Sequence, residues 1–254
     1  MAEDSPMGSV DKALLVLVEL SAAGPRGRSL GELAGGLGVN KSTLHRTLAA
    51  LRHRHFVSQD VSSGRYALGA AAVTLGARFF DVEHLPALLH PVLDRICADL
   101  HELCHLGVLD GTDVVYLDKA EPRRTIRVWS AVGRRSAAVT TAMGRSLLAA
   151  QEVNRQMLGR YAPTAQFTDE EVDRSWEAVV AARLDGYAIE QEESEPGIGC
   201  VAVAILRARR PVAAISVTMP IERLDAERTR VVGERMRTLM TEGLPEALTV
   251  PPTL

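Results

Sequence analysis

Aromatic residues are scarce in this 254-residue chain, 4% in all. A core of ordinary density must therefore be built from Ala, Val, Leu and Ile. Cysteine is scarce too. Three residues, an odd number, argue against a disulfide scaffold and fit a reducing cytoplasm. Long hydrophobic runs are missing: the longest stretch free of charge, Tyr66 to Ala77, is shorter than the ~20 apolar residues of a membrane-spanning helix. Met1-Ala2-Glu3-Asp4 lacks the basic start and apolar run of a secretory signal, so the expectation is a cytoplasmic protein with no membrane segment. The chain also lacks a Gly-x-Ser-x-Gly elbow, a phosphate-cradling glycine loop and paired catalytic carboxylates, so no enzyme is expected. What is present, 46% hydrophobic and 24% charged residues, is the mix of a globular protein and excludes disorder. The length accommodates two domains.

The net charge of −3 conceals an asymmetry. Residues 1–68 carry 8 basic and 6 acidic side chains, whereas 69–254 carry 21 and 26. Within 26–65 the balance is 7 to 2, with His45, His53 and His55 in addition. A basic island in an acidic chain points to a polyanionic partner for that segment alone.

The patterning of the island is specific. Val10, Ala13, Leu14, Leu17 and Val18 repeat at helical spacing, and Gly24-Pro25 ends that helix. Ser29-Leu30-Gly31-Glu32 is a capping box opening a short second helix, Gly38 suits a left-handed cap, and Asn40 suits the N-cap of a third helix. That third helix turns Leu44, Leu48 and Leu51 inward and carries Lys41, Ser42, Thr43, His45, Arg46, Arg52 and His53 on its other face. Two extended runs around Asp60-Val61-Ser62-Ser63-Gly64 predict a hairpin wing with Arg65 at its tip. Helix, helix, basic helix and wing is the helix-turn-helix layout, in which the third helix enters the major groove. Arg46 suits bidentate recognition of guanine, Lys41 suits a phosphate, Ser42, Thr43 and His45 suit bases or phosphates, Arg65 suits the DNA backbone or minor groove, and Arg52 belongs to the same DNA-facing set. The alternative is a solvated charged face on an ordinary three-helix bundle.

Beyond residue 68, an Ala-rich run from Gly69 to about His84 predicts a connecting helix, broken at Pro86. Leu88, Val92, Ile96 and Leu100 continue a helical stripe. Leu106–Leu109, Asp113–Lys119 and Ile126–Ser130 predict strands, and Thr141–Ala150 a helix. Thr168-Asp169-Glu170-Glu171 caps a helix reaching Asp185-Gly186. Strands Cys200–Leu206 and Pro211–Met219 and a last helix, about Asp225 to Glu242, complete the pattern. The fold class is α+β: a winged helix-turn-helix domain over 1–68, a linker helix over 69–84 and an α/β domain over 85–254.

Over nearly its whole length the sequence resembles the IclR family of bacterial transcriptional regulators. The resemblance rests on Ser9-Val10-Asp11-Lys12-Ala13-Leu14, Leu33-Ala34, Lys41-Ser42-Thr43-Leu44-His45-Arg46-Thr47-Leu48 and Tyr66-Ala67-Leu68-Gly69 in the first part. In the second part it rests on Thr141-Ala142-Met143-Gly144-Arg145-Ser146-Leu147-Leu148-Ala149, Gly186-Tyr187-Ala188, Glu192-Glu193, Pro196-Gly197-Ile198-Gly199-Cys200-Val201-Ala202 and Ala214-Ile215-Ser216-Val217. Ala137-Ala138-Val139 stands where the family usually has Pro-Leu-His, and Arg145 where it has Lys. The resemblance implies a GAF-like second domain binding a small organic acid or aromatic carboxylate, and dimers or tetramers on palindromic double-stranded operators, with members acting as repressors or activators. Repression is the expectation here. The motif match also places Glu190, Cys200, Ser216 and Thr218 where the family lines its ligand cavity.

The residues themselves are compatible with that role. Thr141, Ala142, Met143 and Gly144 begin a helix, whose N–H groups and dipole favour an anion. Ser216 and Thr218 lie two apart on a strand and share a face. Ser216 and Thr218 could equally bond their own strand neighbours, Cys200 could be a small buried wall, Glu190 an exposed strand end, and Trp129 a cleft wall or core. A Glu190 facing the cavity would favour a ligand with a hydrogen-bond donor. Cys97, His101 and Cys104, spaced i, i+4 and i+7 as on one helix face, with His105 next, form a candidate metal cluster without an evident fourth ligand. A Cys- or metal-dependent enzyme or sensor, and a non-specific architectural DNA binder, stand as alternatives.

Overall fold

The structure is a computed structural model that describes residues 8–75, 85–122, 131–162 and 167–253. The chain forms two compact units, Met1–Glu83 and His84–Leu254.

In the first unit, α1 (Gly8–Ala23), α2 (Leu30–Leu37) and α3 (Lys41–His53) precede the antiparallel hairpin of β1 (Val57–Gln59) and β2 (Tyr66–Leu68). A further helix, α4, begins at residues 70–75; the remainder of the expected connecting helix, 76–84, lies outside the described residues. Local chemistry sets each boundary. The Ser29 hydroxyl accepts from Glu32 N, and the Glu32 carboxylate accepts from Ser29 N at 2.7 Å, which closes the capping box. Gly38 ends α2 at φ 62°, a backbone geometry that a side chain would strain. Asn40 then accepts from Thr43 N at 2.8 Å and starts α3. Caps of this kind contribute about 1 kcal/mol each. Val16, Leu20, Leu33, Leu44, Leu48, Val57 and Tyr66 form the core.

One expectation for α1 is corrected. The helix forms, but the stripe of Val10, Leu14 and Val18 is exposed, and Val16 and Leu20 face the core instead. The helix is apolar on more than one side, so spacing alone could not identify its buried face.

The second unit is an antiparallel sheet between two helical layers. After α5 (Leu85–Leu100) come β3 (Leu103–Asp110), β4 (Asp113–Ala120) and β5 (Arg135–Ala137). Helices α6 (Ala142–Ala150), α7 (Arg155–Leu158) and α8 (Asp169–Asp185) follow, then β6 (Ala188–Gln191), β7 (Ile198–Arg207), β8 (Arg210–Pro220), α9 (Ala226–Gly243) and β9 (Leu248–Thr249). Strand order among the described residues is β5-β4-β3-β8-β7-β6, with β9 added to β7. The two faces of β7 and β8 differ in bulk. Val201, Val203, Ile205, Ile215, Val217 and Met219 point to one face and pack with α5 and α9. Their alternating neighbours Cys200, Ala202, Ala204, Ala214, Ser216 and Thr218 are small or polar and point towards α6. Short side chains let α6 lie close to the sheet. Gly144 marks a second close approach, to the 138–140 turn that precedes α6, since a Cβ there would fall 2.1 Å from the Ala138 carbonyl oxygen.

Several expectations change in this unit. Pro86 lies within the first turn of α5 rather than interrupting the chain before it, and Leu88 is exposed while Leu89 and Leu93 are buried. Cys97, His101 and Cys104 do not share a helix face: α5 ends at Leu100, His101 reverses the chain at φ 57°, and Cys104 lies in β3. Among the described residues no three His, Cys, Asp or Glu side chains gather as metal ligands would. Glu190 is not an exposed strand end but 2% exposed within β6. The expected strand Ile126–Ser130 and Trp129 lie outside the described residues. No helix among the described residues is long and apolar enough to cross a membrane.

Candidate functional site

The first unit exposes the face of α3 opposite its leucines. Leu44 and Leu48 are buried, whereas Lys41, Ser42, His45, Arg46 and Arg52 are exposed and Thr43 is half-buried. Ser42, His45 and Arg46 fall at i, i+3 and i+4, so they share one outward face. The Ser42 hydroxyl donates to Asn40 at 2.9 Å, and Arg52 is drawn to Gln59 of the wing at 2.5 Å. Arg65 differs from expectation. Its guanidinium is turned back onto the protein, donating to the carbonyls of Arg26 and Gly27 at 3.1 Å each and to Glu32 at 2.7 Å. Glu32 of the capping box supplies a charge partner that spacing along the chain does not reveal.

The second unit has a narrow, partly open cleft between the small-residue face of the sheet and the N-terminus of α6. Register builds its floor. Glu190 of β6 pairs with Cys200 of β7, Cys200 with Thr218 of β8, and Ser216 with His105 of β3. Four strands therefore bring one polar side chain each, or two for β8, to a single patch. The Thr218 hydroxyl lies 3.3 Å from the Cys200 sulfur and 3.4 Å from His105 Nδ1. Thr141, Ala142 and Met143 at the start of α6 line one side of it, and Ser194, Glu195 and Ile198 line another. Gly144 does not line it. Its N–H is taken by the Thr141 hydroxyl at 3.1 Å, the N-cap of α6. The N–H groups of Ala142 and Met143 remain as first-turn donors that no helical carbonyl can reach.

Electrostatics separates the polar groups. Burial, helped by the positive charges of Lys119 and Arg134, lowers His105 to about 4, so its imidazole is neutral near pH 7. Burial raises the Glu190 carboxyl, and N–H bonds from Ser194 and Glu193 pull in the other direction. Its Oε1 accepts from Glu193 N at 2.7 Å and from Ser194 N at 3.0 Å. Burial and the Glu190 charge raise the Cys200 thiol, which keeps it protonated and unsuited to nucleophilic attack. Burial also raises the Tyr116 phenol, to about 12, and its ring stands edge-on to His105 at 5.0 Å. Arg134 at the rim donates to Glu195 at 3.2 Å. Thus Glu190, Cys200, Ser216, Thr218, Thr141, Ala142 and Met143 come together. His105, which the sequence offers only beside the candidate metal cluster, joins them, as do Tyr116 and Arg134, which no local pattern singles out.

Arg145 of α6 is, among the described residues, the largest side chain that is almost wholly buried, at 2% exposed. Its Nε donates to the Val139 carbonyl at 2.9 Å and Nη1 to the Ile189 carbonyl at 3.1 Å. The guanidinium also grips both Glu193 oxygens, at 2.7 and 2.5 Å.

A basic recognition helix on a winged helix-turn-helix unit, together with an α/β unit that carries a polar cleft, defines a DNA-binding transcriptional regulator. Residues 9–61 match the IclR helix-turn-helix domain and residues 78–241 the bacterial transcriptional regulator IclR C-terminal domain. The transcriptional repressor IclR of Escherichia coli is 30% identical over 227 residues, covering 86% of this chain and 82% of that one. The crystal structure of an IclR transcriptional regulator from Alicyclobacillus acidocaldarius is 28% identical with a TM-score of 0.71, covering 94% of this chain and 98% of its own. An IclR homologue from Microbacterium hydrocarbonoxydans, solved in complex with 4-hydroxybenzoate, is 17% identical with a TM-score of 0.69 over 90% of this chain and 98% of its own. The chain belongs to the IclR family of transcriptional regulators.

Proposed function

We propose that this protein is a cytoplasmic repressor that binds a palindromic operator as a homodimer or a pair of dimers, and that a small organic acid in the cleft controls its grip. In this reading residues 1–68 hold DNA, 69–84 link, and 85–254 sense the acid. Lys41, Ser42, Thr43, His45, Arg46 and Arg52 face the DNA, and Arg65 braces the wing. The observation that carries the effector reading is the polar patch of Glu190, Cys200, Ser216, Thr218 and His105 on one sheet face beneath the α6 N-terminus. Such a cleft suits an acid with two ends. Its carboxylate meets the N–H groups of Ala142 and Met143 and the hydroxyls of Ser216 and Thr218, while a hydroxyl or similar donor meets the Glu190 carboxylate, which would repel a second carboxylate. The 4-hydroxybenzoate held by the Microbacterium homologue is an acid of this kind. Assembly has support in the exposed apolar stripe of Val10, Leu14 and Val18, which a second copy would cover. The name of the Escherichia coli relative supports repression.

Two measurements on the full chain test the reading. A palindrome selected from random DNA should bind far more tightly than unselected DNA, with affinity falling steeply as salt rises. Hydroxylated aromatic acids should raise the melting temperature, because a ligand of the native state stabilises it by mass action. Equal affinity for both DNAs, or an unmoved melting temperature across acids, would refute the corresponding half.

A further inference from the structure

Glu190 is a buried carboxylate whose orientation depends on a loop, and that loop is fastened from the opposite wall of the cleft. Residues 192–197 join β6 to β7, and their Ser194 and Glu195 face the cleft. Glu193 sits at the junction of two interactions. Its main-chain N–H, with that of Ser194, donates to Glu190 Oε1. Its carboxylate receives a two-pronged grip from Arg145 of α6. Arg145 is 2% exposed, whereas the Glu193 side chain is about a third exposed at 31%. Opening the loop would move Glu193 out to water, strand a guanidinium that has no route to solvent, and remove two donors from a buried carboxylate. A buried charge left without its partner is strongly destabilising, and a planar fork is matched to a carboxylate as an ammonium is not.

We propose that Arg145 is a positioning residue of the effector cleft: its buried guanidinium latches the 192–197 loop through Glu193 and so holds Glu190 where it can receive a donor group from the ligand. Arg145 touches no ligand itself. It acts by keeping the loop closed and Glu190 aimed, and α6, whose N-terminus forms one wall of the cleft, thereby also fixes the facing wall. The consequence is twofold. Discrimination between a hydroxylated acid and its bare counterpart depends on Arg145, and so does the time the ligand stays bound. This rests on the effector reading above.

The test compares 4-hydroxybenzoate with benzoate on the full chain, by calorimetry for affinity and stopped flow for release. Wild type should prefer the hydroxylated acid. Arg145→Lys keeps the charge but loses the fork, and Glu193→Gln keeps the shape but loses the charge of the more accessible partner, which preserves the test should the buried substitution fail to fold. Both variants should lose roughly tenfold in affinity for 4-hydroxybenzoate, mostly as faster release, while benzoate binding changes less than about threefold. Glu190→Gln should lose the same preference, and combining it with Glu193→Gln should add little. Equal loss for both acids assigns Arg145 a purely structural role and overturns the proposal; so does unchanged preference. A wild type that binds neither acid removes the effector reading and this proposal with it, whereas a wild type that binds while the variants match it removes this proposal alone.

Discussion

The two working surfaces of this chain are built in opposite senses. Helix α3 turns its chemistry outward: its side chains stand on a face that Leu44 and Leu48 fix from behind, and several carry charge into water. The cleft turns its chemistry inward, on a sheet face made shallow by Ala, Ser, Thr and Cys, with Glu190 and His105 at 2% and 4% exposure. An outward surface can exchange a side chain at little cost to stability, because solvent replaces what is lost. An inward one cannot, because each buried polar group depends on its neighbours. Substitutions should therefore separate cleanly into those that alter DNA binding alone and those that alter stability together with ligand binding.

The harshest way to break the contrast is Gly144→Ala. The added carbon would meet the Ala138 carbonyl oxygen at 2.1 Å and force α6 from the 138–140 turn that precedes it, so denaturation should show a loss of about 3 kcal/mol. Next is the pH response of His105. Its imidazole is held near 4 in the fold against 6.5 as the ordinary value, so the unfolded chain takes up the proton first. The contribution of neutral His105 is complete above pH 6.5 and is lost as pH falls through about 4, on the order of 3 kcal/mol. His105→Gln should flatten that part of the stability profile. Helix α3 should behave otherwise. Arg46→Ala should weaken operator binding by about 1–3 kcal/mol and relax one base preference, with the melting temperature unmoved. Smallest is Lys41→Ala, which should reduce the salt slope of DNA binding by about one and leave sequence preference intact.

The same contrast explains what the sequence revealed. The helix-turn-helix unit is written in local signals. Ser29 with Glu32, Gly38 and Asn40 each act within four residues, and all do in the fold what their spacing indicates. Capping boxes and αL glycines elsewhere were equally legible, as at Thr168 and Gly186. The cleft is written in strand register. His105 meets Ser216 across 111 positions of chain, and nothing near either residue announces it. Strand β6 is only four residues long, too short to show alternation, so its residues leave open whether Glu190 is an exposed strand end or faces the cavity. Arg145 reads in the sequence as a variation on a basic position, yet its three partners, Val139, Ile189 and Glu193, lie on the turn before α6, on β6 and on the following loop. The proposed Cys97-His101-Cys104 face failed for a related reason: a helical period holds only while the helix continues, and His101 ends it.

The central claim is that occupation of the inward site is felt at the outward one. It is tested most directly by titrating a fluorescent palindromic operator with the full chain at a series of 4-hydroxybenzoate concentrations, in wild type and in Glu190→Gln. The account predicts that the acid shifts the operator dissociation constant of wild type about tenfold, a coupling of about 1.4 kcal/mol, and that the variant needs roughly tenfold more acid to reach half of that shift. Superimposable curves for wild type with and without an acid that demonstrably binds, or the same acid dependence in the variant, would contradict it.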